Sequence, residues 1–338
     1  MNNSRKTVIQ GAVALIVLVI AAALPWIGAQ TLALFGFSIR SDVLLEFGFN
    51  ALILAILAQG WNVIGGFTGY ASFGNAVFFG LGAYGVGIAM VQWGLSFGTG
   101  MLFGVSMAVI FALLLGIPIL RLKGHYFAIA TLALSQVMAA IISNIDLAGA
   151  NQGLPFLSFL DVSFISTEAA FYEMALVVLA FATAVVFWLK RSRLGFGLIA
   201  IRENEDGAAA MGVNTTLYKV LALTLAGIFS AMAGGIYAYK MAYIDPDQVF
   251  NASWNVKMII MAVFGGAGTV FGPIFGAVTL SAISDILASV LTNVAGLFFG
   301  VVIILAVLLT PRGLTDMLIG VKRCGLRYFI NNIRATKL

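Results

Sequence analysis

MLFGVSMAVIFALLLGIPILRLKGHYFAIATLALSQVMAAIISN, residues 101–144, holds two apolar runs joined by Arg121-Leu122-Lys123-Gly124. A helix needs about 20 apolar residues to cross the hydrocarbon core of a bilayer. Each run is that long and carries no formal charge, and a basic hairpin between two such runs marks a turn at one membrane face. The pattern recurs along the chain. Windows of this size mark spans at 8–29, 43–64, 74–93, 101–120, 125–145, 169–189, 218–239, 254–266, 270–293 and 295–310. The predicted fold class is all-α, a polytopic integral membrane protein with about ten transmembrane helices. Arg5 and Lys6 precede the first run, which is longer than a signal-peptide core and reads as an uncleaved anchor.

Composition agrees. Of 338 residues, 62% are apolar and 9% charged, against about 25% charged in soluble domains. That excludes an ordinary soluble enzyme, a disordered chain and a disulfide scaffold. Cys324 is the single cysteine and His125 the single histidine, so neither a disulfide framework nor a multi-histidine metal site can be built. The net charge of +5 matters through its placement, and it points to lipid rather than nucleic acid.

Alternating the spans from an inside N-terminus puts four basic groups on the cytoplasmic side. They are Arg5 and Lys6; Arg121 and Lys123; Lys190, Arg191, Arg193, Arg202 and Lys219; and Arg312, Lys322, Arg323, Arg327, Arg334 and Lys337. That is fifteen of the 18 Lys and Arg, leaving Arg40, Lys240 and Lys257 toward the outer face. The positive-inside rule therefore predicts both termini in the cytoplasm. Residues 1–311 form one transmembrane domain with a cytoplasmic loop at 190–217, and 312–338 form a basic tail with interleaved apolar residues.

Catalytic motifs are missing. There is no G-x-x-x-x-G-K-[ST], H-E-x-x-H, C-x-x-C or G-x-S-x-G, so the chain carries no phosphate-binding loop of its own. Its polar residues suit a pathway better than a reaction.

Five segments carry information. GGFTGYASFGNAVFFGLGAYG (65–85) and GGAGTVFGPIFGAV (265–278) are glycine-dense, with small-residue spacing at Gly65-x-x-x-Gly69 and Gly268-x-x-x-Gly272-x-x-x-Gly276. Such spacing fits close helix packing, and a Gly/Pro-interrupted apolar segment also fits a broken helix lining a translocation path. Candidate path residues there are Ser72, Gly74, Asn75, Gly265, Gly266 and Gly268. In 124–144, Thr131 and Ser135 share a helix face with Gln136 beside them, either as interhelical hydrogen-bonders or as path residues. In the inner loop, Arg202-Glu203-Asn204-Glu205 is followed by Ala208, Ala209, Ala210, Met211 and Gly212. Asn204 can cap a short helix from Glu205 to Met211 whose acidic start suits the helix dipole, a docking surface on the inner face. Finally, Asp285 is an intramembrane acid, and such a residue is a functional candidate by default. Lys257 is its nearest basic candidate, so an Asp285–Lys257 ion pair, direct or through one water, is expected.

These residues resemble the permease subunit of branched-chain amino acid ABC importers, the LivM-type subunit, from about Ala51 to Leu314. The most specific match is Ser192-Arg193-Leu194-Gly195, then Ala200-Ile201-Arg202-Glu203-Asn204-Glu205 and Met211-Gly212-Val213-Asn214. Gly69-Tyr70-Ala71-Ser72-Phe73-Gly74, Tyr126-Phe127-Ala128, Thr131-Leu132-Ala133, Gly265-Gly266-Ala267-Gly268-Thr269, Gly272-Pro273 and Pro311-Arg312-Gly313-Leu314 support it. Phe196, Asn75 and His125 depart from the family's common Arg, His and Arg. The resemblance implies a type II importer bundle in the bacterial inner membrane. It implies a homologous second permease, two cytosolic ATPases that dock on Arg202 to Gly212, and a periplasmic or lipid-anchored binding protein. ATP and magnesium would sit on those partners, with no cofactor on this chain. Related permeases resemble ones serving urea, amides, aromatic acids or sugars, and an ion-coupled carrier using Asp285 is the rival class.

Overall fold

The structure is a computed structural model that describes residues 41–156 and 168–290, together with residues 300, 301, 304 and 314. The expected spans 8–29 and 295–310 and the tail 312–338 therefore lie outside the described residues or almost wholly so. The other eight expected spans are all helices. They are α1 (Ser41–Trp61), α2 (Asn75–Val91), α3 (Phe97–Ile119), α4 (His125–Ile142), α5 (Glu168–Leu189), α8 (Thr215–Met241), α10 (Ala252–Gly265) and α11 (Gly272–Val290). Among the described residues, six helical segments are long and apolar enough to cross a membrane; α2, with 17 residues, and α10, with 14, are shorter.

The short helix α2 is the core. Every residue from Asn75 to Met90 is buried, as expected of a helix that is apolar all round. Helices α3 and α8 pack directly on it, α1 lies against α5, α8, α10 and α11, and α10 pairs with α11. Glycine makes the central crossings possible. A β-carbon at Gly82 would lie 2.1 Å from the Ala231 carbonyl oxygen, and one at Gly85 would lie 2.3 Å from the Gly104 Cα. The small-residue spacing in 265–278 likewise serves packing at Gly265 and Gly276, whose β-carbons would meet the Gly272 and Met261 carbonyls at 1.8 and 2.0 Å. Gly65-x-x-x-Gly69 makes room for side chains instead of a neighbouring helix backbone, the Trp61 ring at Gly65 and the Arg202 stem at Gly69. The helix ends before Gly69, which has φ +74° and lies in the link to α2.

The inner loop contains one unforeseen helix, α6 (Arg193–Glu203), capped by Ser192, whose Oγ accepts from the Gly195 amide at 3.1 Å. Asn204 ends α6 and caps α7 (Glu205–Ala210), its Oδ1 accepting from the Gly207 amide at 2.9 Å. The expected cap is in place and the helix stops one residue short of Met211. At the other end, β1 (Leu154–Pro155) pairs antiparallel with β2 (Tyr243–Ile244) just before α9 (Pro246–Val249).

Contacts sort the connecting segments into the two ends inferred from charge. Lys123 meets Asp206 at 3.1 Å and Lys219 meets Glu205 at 2.7 Å at one end. Lys240 meets Glu168 at 2.9 Å and the Tyr243 hydroxyl donates to the Gln152 carbonyl at the other. With Cys324 replaced by serine, a membrane-impermeant thiol reagent on intact cells is expected to label Asn151→Cys and not Met211→Cys. Labelling of Met211→Cys from outside would reverse the orientation.

Candidate functional site

Two polar clusters sit inside the apolar bundle. The first surrounds the N-terminus of α2. Ser72 Oγ donates to Asn75 Oδ1 at 3.1 Å, and the Phe73 amide donates to Thr131 Oγ1 at 3.0 Å. The Ala76 amide donates to Asn255 Oδ1 at 2.8 Å, and Asn255 Nδ2 reaches Ser135 Oγ at 3.5 Å. Helix N-termini present amides with no intrahelical partner, and side chains from α4 and α10 satisfy these. The structure thus unites Ser72, Gly74, Asn75, Thr131 and Ser135, and it adds Asn255, which sequence reasoning missed. Gln136 is exposed and does not join. The Asn75 Nδ2 is fully buried without a partner, so the cluster holds one unused donor. A cavity beside Ser72, Gly74 and Thr131 has a free volume of about 20 Å³, room for about one water and too small for an amino acid.

The second cluster ties α1 to the glycine loop between α10 and α11. Helix α1 continues into a π-helical turn, Asn62–Gly66. Such turns mark functional sites more often than regular helix does. Asn62 Oδ1 accepts from the Gly268 amide at 2.7 Å, and Asn62 Nδ2 donates to the Thr269 carbonyl at 2.8 Å. Gln59 Nε2 donates to the Val270 carbonyl at 2.8 Å. Gly266 and Gly268 have φ of +118° and +79°, values that favour glycine. These two glycines therefore belong to this loop, and Gly265 ends α10 beside it, away from the Ser72–Asn75 cluster. Neither Gln59 nor Asn62 was foreseen; an amide within an apolar span was the available signal.

The inner end carries the third group. Lys219, its side chain only 4% exposed, holds Glu205 Oε1 at 2.7 Å, the Leu120 carbonyl at 3.1 Å and the Tyr70 hydroxyl at 3.2 Å. The Tyr70 hydroxyl also donates to Glu205 Oε2. Burial opposes ionisation of Glu205, but the hydrogen bonds from Lys219 and Tyr70 and the charges of Lys219 and Lys123 outweigh it and hold the carboxyl below its ordinary value. Burial, then the bond to Glu205, push the Tyr70 hydroxyl above its own. Arg202 donates from Nη1 to the Gly66 carbonyl at 2.9 Å. Arg202, Asn204, Glu205 and the buried Ala208 are thus engaged within the chain, while Glu203, Ala209, Ala210, Met211 and Gly212 face outward. Met211 is 86% exposed.

The direct Asp285–Lys257 pair is not formed. Both side chains are exposed, Lys257 Nζ lies 5.5 Å from the Trp254 ring centroid, and Asp285 feels both Lys257 and Glu46 electrostatically. The lysine follows the aromatic face three residues back on its own helix, where a cation gains from the ring quadrupole.

Residues 43–307 match the family described as the branched-chain amino acid transport system permease component. The chain is 26% identical over 292 residues to the high-affinity branched-chain amino acid transport system permease protein LivM of Escherichia coli, covering 79% of this chain and 68% of that one. It is 25% identical to a probable LivM of Methanocaldococcus jannaschii, over 86% of this chain and 91% of the relative. It is 26% identical to the autoinducer 2 import system permease protein LsrC of Yersinia enterocolitica, over 60% of this chain and 58% of that one.

Proposed function

Because this chain belongs to the family of branched-chain amino acid transport permease components, we propose that it forms one half of the membrane pathway of an ATP-driven importer for branched-chain or related amino acids. As a permease of that superfamily it is a transport component, not a catalyst. In this reading it lies in the bacterial inner membrane with both ends cytoplasmic, beside a homologous second permease. Two cytosolic ATPases bind ATP and magnesium and drive it, and a periplasmic or lipid-anchored binding protein delivers the solute.

One observation carries the reading. Helices α6 and α7 are anchored to the bundle by Lys219, Tyr70 and Gly66, yet they present Met211, Ala209 and Ala210 to the outside. A rigidly held apolar knob at the membrane surface suits insertion into a groove of a moving partner. Energy reaches the path only through a contact whose strength differs between two states.

Met211→Asp is expected to cut co-purification of the ATPases about tenfold, the loss of roughly 1.4 kcal/mol of contact, with membrane insertion unchanged. Unchanged co-purification would remove α7 from the ATPase interface. Leucine uptake into vesicles should require ATP. Uptake driven by an ion gradient without the ATPases would support the carrier reading through Asp285 instead. The likeness to LsrC supports a sugar-type solute as the second reading, in which ATP-dependent uptake is found for a small sugar and not for leucine.

A further inference from the structure

We propose that Arg202 is a positioning residue for transport: an internal strut that carries motion of α7 to the break between α1 and α2. This rests on the importer reading and deepens it, because the sequence pattern alone makes Arg202 a contact for the ATPases.

One arm of the guanidinium turns inward, while the side chain as a whole stays 42% exposed and its Nε lies 3.6 Å from Glu203 Oε1. Arg202 Nη1 donates to the Gly66 carbonyl, the last residue of the π-helical turn. The carbonyls that end a helix lack intrahelical partners and carry the negative end of its dipole, so a guanidinium is matched to that place in both hydrogen bonding and charge. Its stem fills space that two glycines leave open. A β-carbon at Gly69 would lie 2.9 Å from Arg202 Cγ, and one at Gly268 would lie 2.8 Å from Arg202 Nη1. One side chain thus touches both glycine-rich segments, and Asn62 joins those segments through the Gly268 amide.

Two residues of the α6–α7 joint therefore hold the same short segment. Arg202 grips it at Gly66 and Glu205 grips it at Tyr70. Three residues beyond Gly69 the chain enters the Ser72–Asn75 cluster and then the buried helix α2. A displacement of α7 cannot leave residues 66–70 in place while both grips hold. The joint itself is sharp, with Asn204 extended between two helices, so α6 and α7 move the grips together only if the strut is intact.

The test reads transmission without needing the solute. The complete complex with its ATPases is prepared with Cys324→Ser and Ala71→Cys, the latter an exposed site within the break. Thiol labelling of position 71 is compared with and without nucleotide trapped by vanadate. Trapping is expected to change the labelling rate about fivefold, a typical coupling between distant sites. Arg202→Ala should abolish the change while leaving ATPase co-purification and the rate of ATP hydrolysis within about twofold. Arg202→Lys should restore part of it, since an ammonium can still reach one carbonyl, and it carries the test if the alanine variant does not accumulate. A full labelling response in both variants overturns the strut. Loss of co-purification in Arg202→Ala, matching that of Met211→Asp, also overturns it and makes Arg202 a docking residue. If wild-type protein binds no ATPase at all, the importer reading falls instead, and with it the premise.

Discussion

Gly234→Leu is expected to yield no folded protein, and Gly234→Ala alone to lower stability by about 3 kcal/mol, the upper range for overpacking a core. Gly234 lies on α8 where it crosses α2. A β-carbon there would lie 1.9 Å from the Phe79 carbonyl oxygen and 3.1 Å from the Phe79 Cα. The obstacle is backbone, so no rotamer change relieves it. Phe79 sits in the middle of a helix buried on every side, and moving α2 would also disturb its contact with α3 at Gly104. In a membrane, helices have little hydrophobic reason to associate, and close van der Waals packing supplies much of the attraction. A spacer of one methyl group therefore removes contacts over a whole interface. Gly98→Ala is the control. It lies in α3 with nothing within 4 Å of a β-carbon, and helix propensity predicts a gain of up to about 1 kcal/mol. Recovery of monodisperse protein in detergent and its thermal midpoint measure both. Equal behaviour of the two variants would mean that the α2–α8 crossing is not the tight contact described.

The eight described spans were legible because hydropathy reports removal from water, into lipid for most of them and into the protein core for the short α2. Helix α6 was not. Gly195 and Gly197 lower helix propensity, yet packing demands them, for β-carbons there would lie 1.9 Å from the Leu189 carbonyl oxygen and 2.3 Å from the Tyr218 ring. The Ser192 cap was the readable sign. Thr131 and Ser135 could be paired from their spacing of four. Gln136 could not be excluded by proximity in sequence, although one residue is a rotation of about 100° on a helix. The glycine loop hid its nature because sequence does not distinguish a glycine chosen for close packing, such as Gly276, from one chosen for φ, such as Gly268. Arg202 and Glu205 looked like surface charge for a related reason. Their partners, Gly66, Tyr70 and Lys219, are remote in the chain or carry no marked pattern, and only the fold brings them within reach.

Lys219→Met is expected to free α7 from the bundle. Removing one member of a buried ion pair leaves the other charge without compensation and costs about 3 kcal/mol or more. Here the Glu205 side chain is 18% exposed, so water recovers part of that and the expected cost is about 2 kcal/mol. Three bonds disappear together, to Glu205, to the Tyr70 hydroxyl and to the Leu120 carbonyl. The double variant Lys219→Met with Glu205→Gln should lose less, because the stranded carboxylate is gone and the Tyr70 hydroxyl still finds an amide oxygen. Acidity separates this account from simple loss of packing. In the wild type Glu205 titrates below its ordinary value, so its stabilising contribution is complete above the ordinary glutamate range, about 4.3, and disappears as pH falls through the lower, folded value. Without Lys219, burial acts on Glu205 with less to oppose it, and protonation now relieves a penalty instead of breaking a bond. The slope of stability against pH therefore reverses sign between the two proteins. A spin label at Met211→Cys, in the Cys324→Ser background, reads this as mobility of α7. Wild-type mobility should rise on acidification and the Lys219→Met protein should tighten. Parallel pH responses in both would show that α7 is held by its apolar contacts, with the lysine cluster a bystander.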